Sequence, residues 1–184
     1  ANSHRRRNHI GIIKIGDRVL NQEEEVREGI TNFYVDLYRE PCDWRPNMED
    51  ACFNSLNGED RDWLEKPISE EEVLLALKDC DGYKAPGPDD FTMAFYKHCW
   101  AVIGVDVMVA IQWFSNRVVL EKSFNATFIA LIPKKEGAID IRDNRPISLV
   151  GSFYKLVAKV LACWLKRVMD GLISSSQNAF VGGR

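Results

Sequence analysis

Thr127-Phe128-Ile129-Ala130-Leu131-Ile132-Pro133 and, after a polar interval, Arg145-Pro146-Ile147-Ser148-Leu149-Val150 are the stretches that decide the fold. Both are rich in β-branched and other apolar residues. Pro133 ends the first, and the interval 133–144 is polar and contains Gly137. Two such runs predict an antiparallel hairpin with a long tip. Lys134 and Lys135 stand just past one strand and Arg145 opens the other, so strand pairing would bring three cations to one end of the hairpin. A triphosphate asks for that set, with lysines as point charges and arginine as a planar two-pronged donor to phosphate oxygens. Solvated turn residues would read the same way, and charge alone leaves both readings open.

Working outward, Ser152 opens a helix that turns Val157, Val160, Leu161, Trp164 and Val168 inward. On the other side, a short helix is expected around 91–98 and a longer one from about 105 to 120, with Val107, Ile111, Phe114 and Val118 on one face. Before these, Gly82-Tyr83-Lys84-Ala85-Pro86-Gly87-Pro88-Asp89-Asp90 holds too many Pro and Gly for helix or strand and reads as a shaped loop. Ser69 and Glu72 form a capping box flanked by Ile68 and Val73, so a helix starts at 70 and buries Val73, Leu74 and Leu77. Residues 41–57 read as loop or linker. Asn21 caps a helix with Val26, Ile30, Phe33, Leu37 and Tyr38 on its stripe, stopped by Pro41. Residues 10–20 read as a short hairpin about Gly16-Asp17. The fold class is therefore α+β, mainly helical with a small antiparallel β-hairpin.

The 184 residues are 46% hydrophobic and 28% charged, an ordinary globular composition. No apolar run approaches the roughly 20 residues of a membrane span, so no membrane partner is expected. The first residues lack the apolar core of a secretory signal, and the absence of an initiator Met suggests a start inside a longer frame. Five cysteines (42, 52, 80, 99 and 163), irregularly spaced and without a C-x-x-C pair, argue against a disulfide framework or a zinc site. They favour an intracellular, reducing compartment, nucleus or cytoplasm. The net charge of −3 hides an asymmetry: residues 122–184 carry ten Lys/Arg against four Asp/Glu, giving +6, and residues 1–121 carry fourteen against twenty-three, giving −9. Phosphate contacts belong in the basic part.

Five motifs follow one another in a recognisable order. They are Lys84-Ala85-Pro86-Gly87-Pro88-Asp89, Phe128-Ile129-Ala130-Leu131-Ile132-Pro133-Lys134, Asp143-Asn144-Arg145-Pro146-Ile147-Ser148-Leu149, Tyr154-Lys155, and Ser176-Gln177-Asn178-Ala179-Phe180-Val181-Gly182-Gly183-Arg184. The series resembles the opening motifs of reverse transcriptases of LINE-type (non-LTR) retrotransposons, and covers about residues 57–184. Residues 4–40 resemble, less closely, the linker between endonuclease and polymerase in those elements. The resemblance divides the chain into a linker region, 1–56, with hairpin and helix, and a partial polymerase domain, 57–184, made of the fingers and upper palm of a right-hand polymerase.

What the resemblance implies is an RNA-directed DNA polymerase, a nucleotidyltransferase that works with an RNA template, a DNA primer and an incoming deoxynucleotide. It places Arg145 on the triphosphate with Lys134 beside it and Lys135 as a further candidate. Lys84, Gln177 and Arg184 would lie by the template. The family uses two Mg²⁺ ions, about 3.5–4 Å apart. Their ligands are a downstream Asp motif and a Tyr/Phe-x-Asp-Asp motif, and neither occurs in these 184 residues. No catalytic residue or metal ligand is therefore nominated here, and the chain is expected to be inactive alone. Glu23-Glu24-Glu25 and Glu70-Glu71-Glu72 fall in helix first turns, where negative charge is structural. Asp90 replaces the Gly usual in the family, at a position that favours positive φ. Asn144 replaces an aromatic, and Trp164 replaces an Arg. These departures fit a decaying element copy. The rival reading is a non-catalytic helical module, or an unstable remnant, whose exposed helix faces would bind a protein partner.

Overall fold

The structure is a computed structural model that describes residues 10–42, 44–45 and 55–173, the side chain of Asp170 excepted. In chain order it contains β1 (Ile13–Ile15), β2 (Arg18–Leu20), α1 (Glu23–Leu37), α2 (Gly58–Glu65), α3 (Glu70–Asp79), α4 (Met93–Arg117), β3 (Thr127–Pro133), a 3₁₀ turn (Ile141–Asp143), β4 (Asn144–Val150) and α5 (Ser152–Leu172). Among the described residues, five helices and two small antiparallel sheets make a mixed α/β fold. Two compact units divide it, Ala1–Glu49 with Ile129–Ser148, and Asp50–Phe128 with Leu149–Arg184.

In the first unit, β1 and β2 pair in the register Ile13↔Leu20, Lys14↔Val19 and Ile15↔Arg18. The turn works because Gly16 takes φ +61°, which a side chain would oppose. The Lys14 N–H donates to the Ile139 carbonyl at 2.6 Å, tying β1 to the tip of the second hairpin. Ile13, Leu20, Val26, Tyr34, Leu131 and Ile141 form the core. The stripe of α1 differs from the expected one. Tyr34 is buried, while Leu37, the last helical residue, and Tyr38, the C-cap, are 57% and 64% exposed. Gln22 rather than Asn21 is the N-cap and makes no side-chain cap bond; the acidic first turn faces the helix dipole instead.

The second unit is helical. The capping box at Ser69 forms as expected: the Ser69 N–H donates to Glu72 Oε2 at 3.0 Å, and the Glu72 N–H donates to Ser69 Oγ at 3.3 Å. Ile68 and Val73 are both buried beside it. Of the residues expected inside α3, Leu74 is 39% exposed and Ala76 takes its place, since 73, 76 and 77 share a face that 74 leaves. α2 is an addition, since the sequence reading assigned no element to 58–65. Asn57 Oδ1 accepts from the Asp60 N–H at 2.7 Å, and Glu59 and Asp60 fill the first turn.

The two helices expected at 91–98 and 105–120 are one 25-residue helix, α4. Cys99 to Gly104 contain no breaker strong enough to interrupt it. The helix ends at Val118, which takes φ 54° and is 82% exposed, so the buried face stops short of the expected Val118. By length and composition alone α4 could cross a membrane, which departs from the reading that no apolar run is long enough. Its Met93, Tyr96, Val107 and Ile111 belong to the core of this unit. α5 follows expectation, with Val157, Val160, Trp164 and Val168 buried and Leu161 half-buried.

Candidate functional site

The outer end of the β3–β4 hairpin carries the cations singled out in the sequence. The Lys134 N–H donates to the Asp143 carbonyl at 2.8 Å, setting the two residues opposite each other where the strands end. Side chains alternate along a strand, so Arg145, the second residue of β4, falls on the face opposite its neighbour Asn144. Buried Leu131 and Asn144 mark the other face. Arg145 is exposed and forms no ion pair among the described residues. Lys134 Nζ donates to the Arg142 carbonyl at 2.5 Å, and Lys135 Nζ pairs with Asp143 Oδ2 at 2.7 Å. A shallow hollow at the tip is lined by residues 133–138, including Lys134 and Lys135 but not Arg145.

A fourth cation here was not foreseen. Arg142 donates through Nε and Nη2 to the two oxygens of Asp140, at 3.0 and 2.8 Å. Those bonds hold the Asp140 carboxyl far below the usual carboxylate range and push Arg142 up. Arg142 and Lys135 each have a carboxylate partner. Among the described residues Arg145 has none and Lys134 Nζ is bound to a carbonyl, so these two are the less neutralised cations of the tip. Asn144, which stands where the resembled family has an aromatic, is 6% exposed and donates from Nδ2 to the Asp140 carbonyl at 3.0 Å. The amide thus pins the same turn that holds Asp140.

In the second unit, the 82–90 loop wraps the start of α5. Asp89 Oδ2 accepts from the Ser152 N–H at 2.6 Å, Ser152 Oγ donates to the Phe91 carbonyl at 2.6 Å, and Lys155 Nζ donates to the Ala85 carbonyl at 2.9 Å. The backbone approach needs Gly87, where a Cβ would stand 2.4 Å from both Gly151 N and the Val150 carbonyl carbon. Burial, then the nearby Asp89 carboxylate, pushes the Tyr96 hydroxyl up to about 12. Asp90 takes φ 55°, the conformation that its replacement of Gly made doubtful, and its N–H donates to the Gly87 carbonyl at 3.0 Å.

Lys84 is exposed and lines a hollow with Tyr154, Lys155 and Lys159. Lys159 sits 3.5 Å from Asp79. Lys155 and Lys159 were not among the cations expected at a site. Their i, i+4 spacing on α5 was the available signal. Gln177 and Arg184 lie outside the described residues. Among the described residues, no three His, Cys, Asp or Glu side chains come together as a metal-holding group. Trp164 is core: it is 7% exposed, packs on Trp63 at a ring-centroid distance of 5.3 Å, and donates from Nε1 to Glu72 Oε1 at 2.9 Å.

No protein-family model matches the chain. Over 171 residues it is 30% identical to a Xenopus laevis protein described as "Transposon TX1 uncharacterized 149 kDa protein", covering 90% of this chain and 13% of that protein. The chain is thus similar to a transposon protein and spans a small part of its length.

Proposed function

We propose that the chain is the fingers-side part of an RNA-directed DNA polymerase from a LINE-type retrotransposon. The observation that carries this reading is the ordered series of five motifs, supported by the similarity to a transposon protein across most of the chain. In this reading the β3–β4 hairpin closes over the incoming deoxynucleotide. Arg145 offers its two-pronged donor to the triphosphate, and Lys134 adds a point charge. Lys135 contributes less, because Asp143 already neutralises it. Lys84, with Lys155 and Lys159 in the same hollow, faces the template strand.

The family chemistry requires Mg²⁺ to clamp the attacking and leaving oxygens. The described residues do not fit that role, so the chain positions substrates and leaves metal binding to carboxylates elsewhere in the parent polymerase. With primed RNA, Mg²⁺ and deoxynucleotides, the chain alone should incorporate nothing above background. Lys134→Ala with Arg145→Ala should weaken deoxynucleotide binding about tenfold or more, the scale of one or two charge-assisted hydrogen bonds. Unchanged affinity would remove these roles.

A second reading, a helical module that binds a protein partner, has one observation behind it. α4 leaves Val102, Val105 and Val109 exposed on one side, at 81%, 76% and 62%. A stable complex or oligomer in sizing measurements, with no salt-dependent RNA binding, would favour it.

A further inference from the structure

The junction of α2, α3 and α5 holds an aromatic and cationic groove that neither the hairpin nor the 82–90 loop uses. Trp63 lies against Trp164, and the Arg167 guanidinium carbon stands 4.4 Å from the centre of the Trp63 ring. Lys66 Nζ sits 4.7 Å from the same centre and pairs with Glu72 Oε1 at 2.8 Å. Between α3 and α5 the floor of the groove is apolar, formed by Ala76, Val160 and Trp164, with Leu75 as a wall that is 65% exposed. Lys78 and Arg167 stand on its rim.

Among the described side chains the charges here do not cancel. Glu72 and Asp79, the two acids of the groove, are matched by Lys66 and Lys159. Lys78 and Arg167 are exposed, and neither has an acidic partner among the described residues. Two cations in surplus beside a tryptophan ask for a ligand that is both flat and anionic. A guanidinium resting on an indole also offers its outer plane for a second ring.

We infer that the Trp63–Arg167 groove binds single-stranded nucleic acid, one unpaired base stacking on the Arg167–Trp63 pair while Lys78 and Arg167 meet flanking phosphates. Stacking platforms beside basic residues are how unpaired strands are held without sequence preference. An acidic peptide would satisfy the two cations but leave the stacking plane and the apolar floor unused. The inference does not rest on the hairpin's role, since its residues lie on other elements.

The test is fluorescence anisotropy of the full chain with labelled oligouridylate, oligothymidylate and an abasic ribose-phosphate oligomer, across a salt series. Lys78→Ala with Arg167→Ala should weaken oligouridylate binding about tenfold and lower the logarithmic salt slope by about 1.4, two single-strand phosphates' worth. Arg167→Lys keeps the charge but loses the plane. It should keep the slope and erase most of the preference for oligouridylate over the abasic oligomer. Both sites are exposed, so unchanged thermal melting should accompany the variants. Lys134→Ala with Arg145→Ala serves as the control and should leave the loss caused by the groove variants intact. Comparable binding of oligothymidylate assigns the groove to unpaired strands of either sugar, and weaker binding restricts it to RNA. The inference fails if wild type binds none of the three, if affinity and slope survive the Lys78/Arg167 change, if the abasic oligomer binds as tightly as oligouridylate, or if an acidic peptide binds the groove in preference to oligouridylate.

Discussion

Asp89 caps a helix it does not belong to: its Oδ2 accepts from the Ser152 N–H at 2.6 Å, across 63 positions of sequence. The first backbone N–H groups of a helix have no partner inside it, and a carboxylate there is favoured by the helix dipole as well. Asp89→Ala should therefore cost about 0.5–2 kcal/mol, the usual scale for losing a cap. Asp89→Asn retains an acceptor and should cost less. Urea unfolding of both variants checks the order; equal losses would mean that charge, not the hydrogen bond, holds the contact.

Gly87→Ala should be the more damaging change in the same loop. The new Cβ would meet backbone rather than a flexible side chain end, so the loop must move off α5. A loss of about 3 kcal/mol is expected, at the upper end of ordinary overpacking. Little change in unfolding midpoint would mean that the loop does not sit this close.

Asp90→Gly should act in the opposite direction. Asp90 is held at φ 55°, where only glycine is free of steric cost. Relief of that cost, less the extra freedom glycine has in the unfolded chain, should leave a gain of about 0.5 kcal/mol. A lower thermal midpoint for the glycine variant would contradict this.

Trp164→Ala should cost about 3–5 kcal/mol, as for other large aromatics removed from cores. Trp164→Phe keeps most of the packing on Trp63 but loses the donor to Glu72, and should cost about 1 kcal/mol. Trp164→Arg restores the residue usual in the resembled family and should still destabilise, because Lys66 already stands over this ring.

Glu72 gives the unit a pH dependence. Burial raises its carboxyl, but hydrogen bonds from Lys66, Ser69 and Trp164 outweigh burial and hold it below its ordinary 4.5. A carboxyl depressed in the folded state stabilises fully above its unfolded value, and that share is lost as pH falls through the folded one. Stability should therefore hold steady above 4.5 and decline below it, and Glu72→Gln should flatten part of that acid limb. Unfolding measured between about pH 3 and 6 decides this, and identical limbs for both proteins would count against it.

Local signals were legible in the sequence. The Ser69–Glu72 box, the Gly16 turn and the α5 stripe each depend on neighbours a few residues apart, and each formed as read. Where the reading failed, the cause was tertiary. No short-range pattern says that 99–104 continues a helix, or that Leu37 stays exposed at the end of α1. The candidate site was legible in composition but not in partnership. Lys134, Lys135 and Arg145 could be nominated from the sequence, yet the strand pattern could not show that Asp143 holds Lys135. The Trp63–Arg167 contact was out of reach, since it joins a helix the sequence reading did not assign to one far along the chain.

Ile13 and Ile141, 0% and 1% exposed, share one core although they stand far apart in the sequence. During synthesis the N-terminal hairpin and α1 can pack together, but their shared core stays partly uncovered until the second hairpin emerges. Closing so long a loop costs entropy before any burial compensates, which slows assembly of that unit. A piece trimmed to begin at residue 57 would meet the converse problem, with Leu131 and Ile141 stripped of their cover and prone to clumping in the test tube.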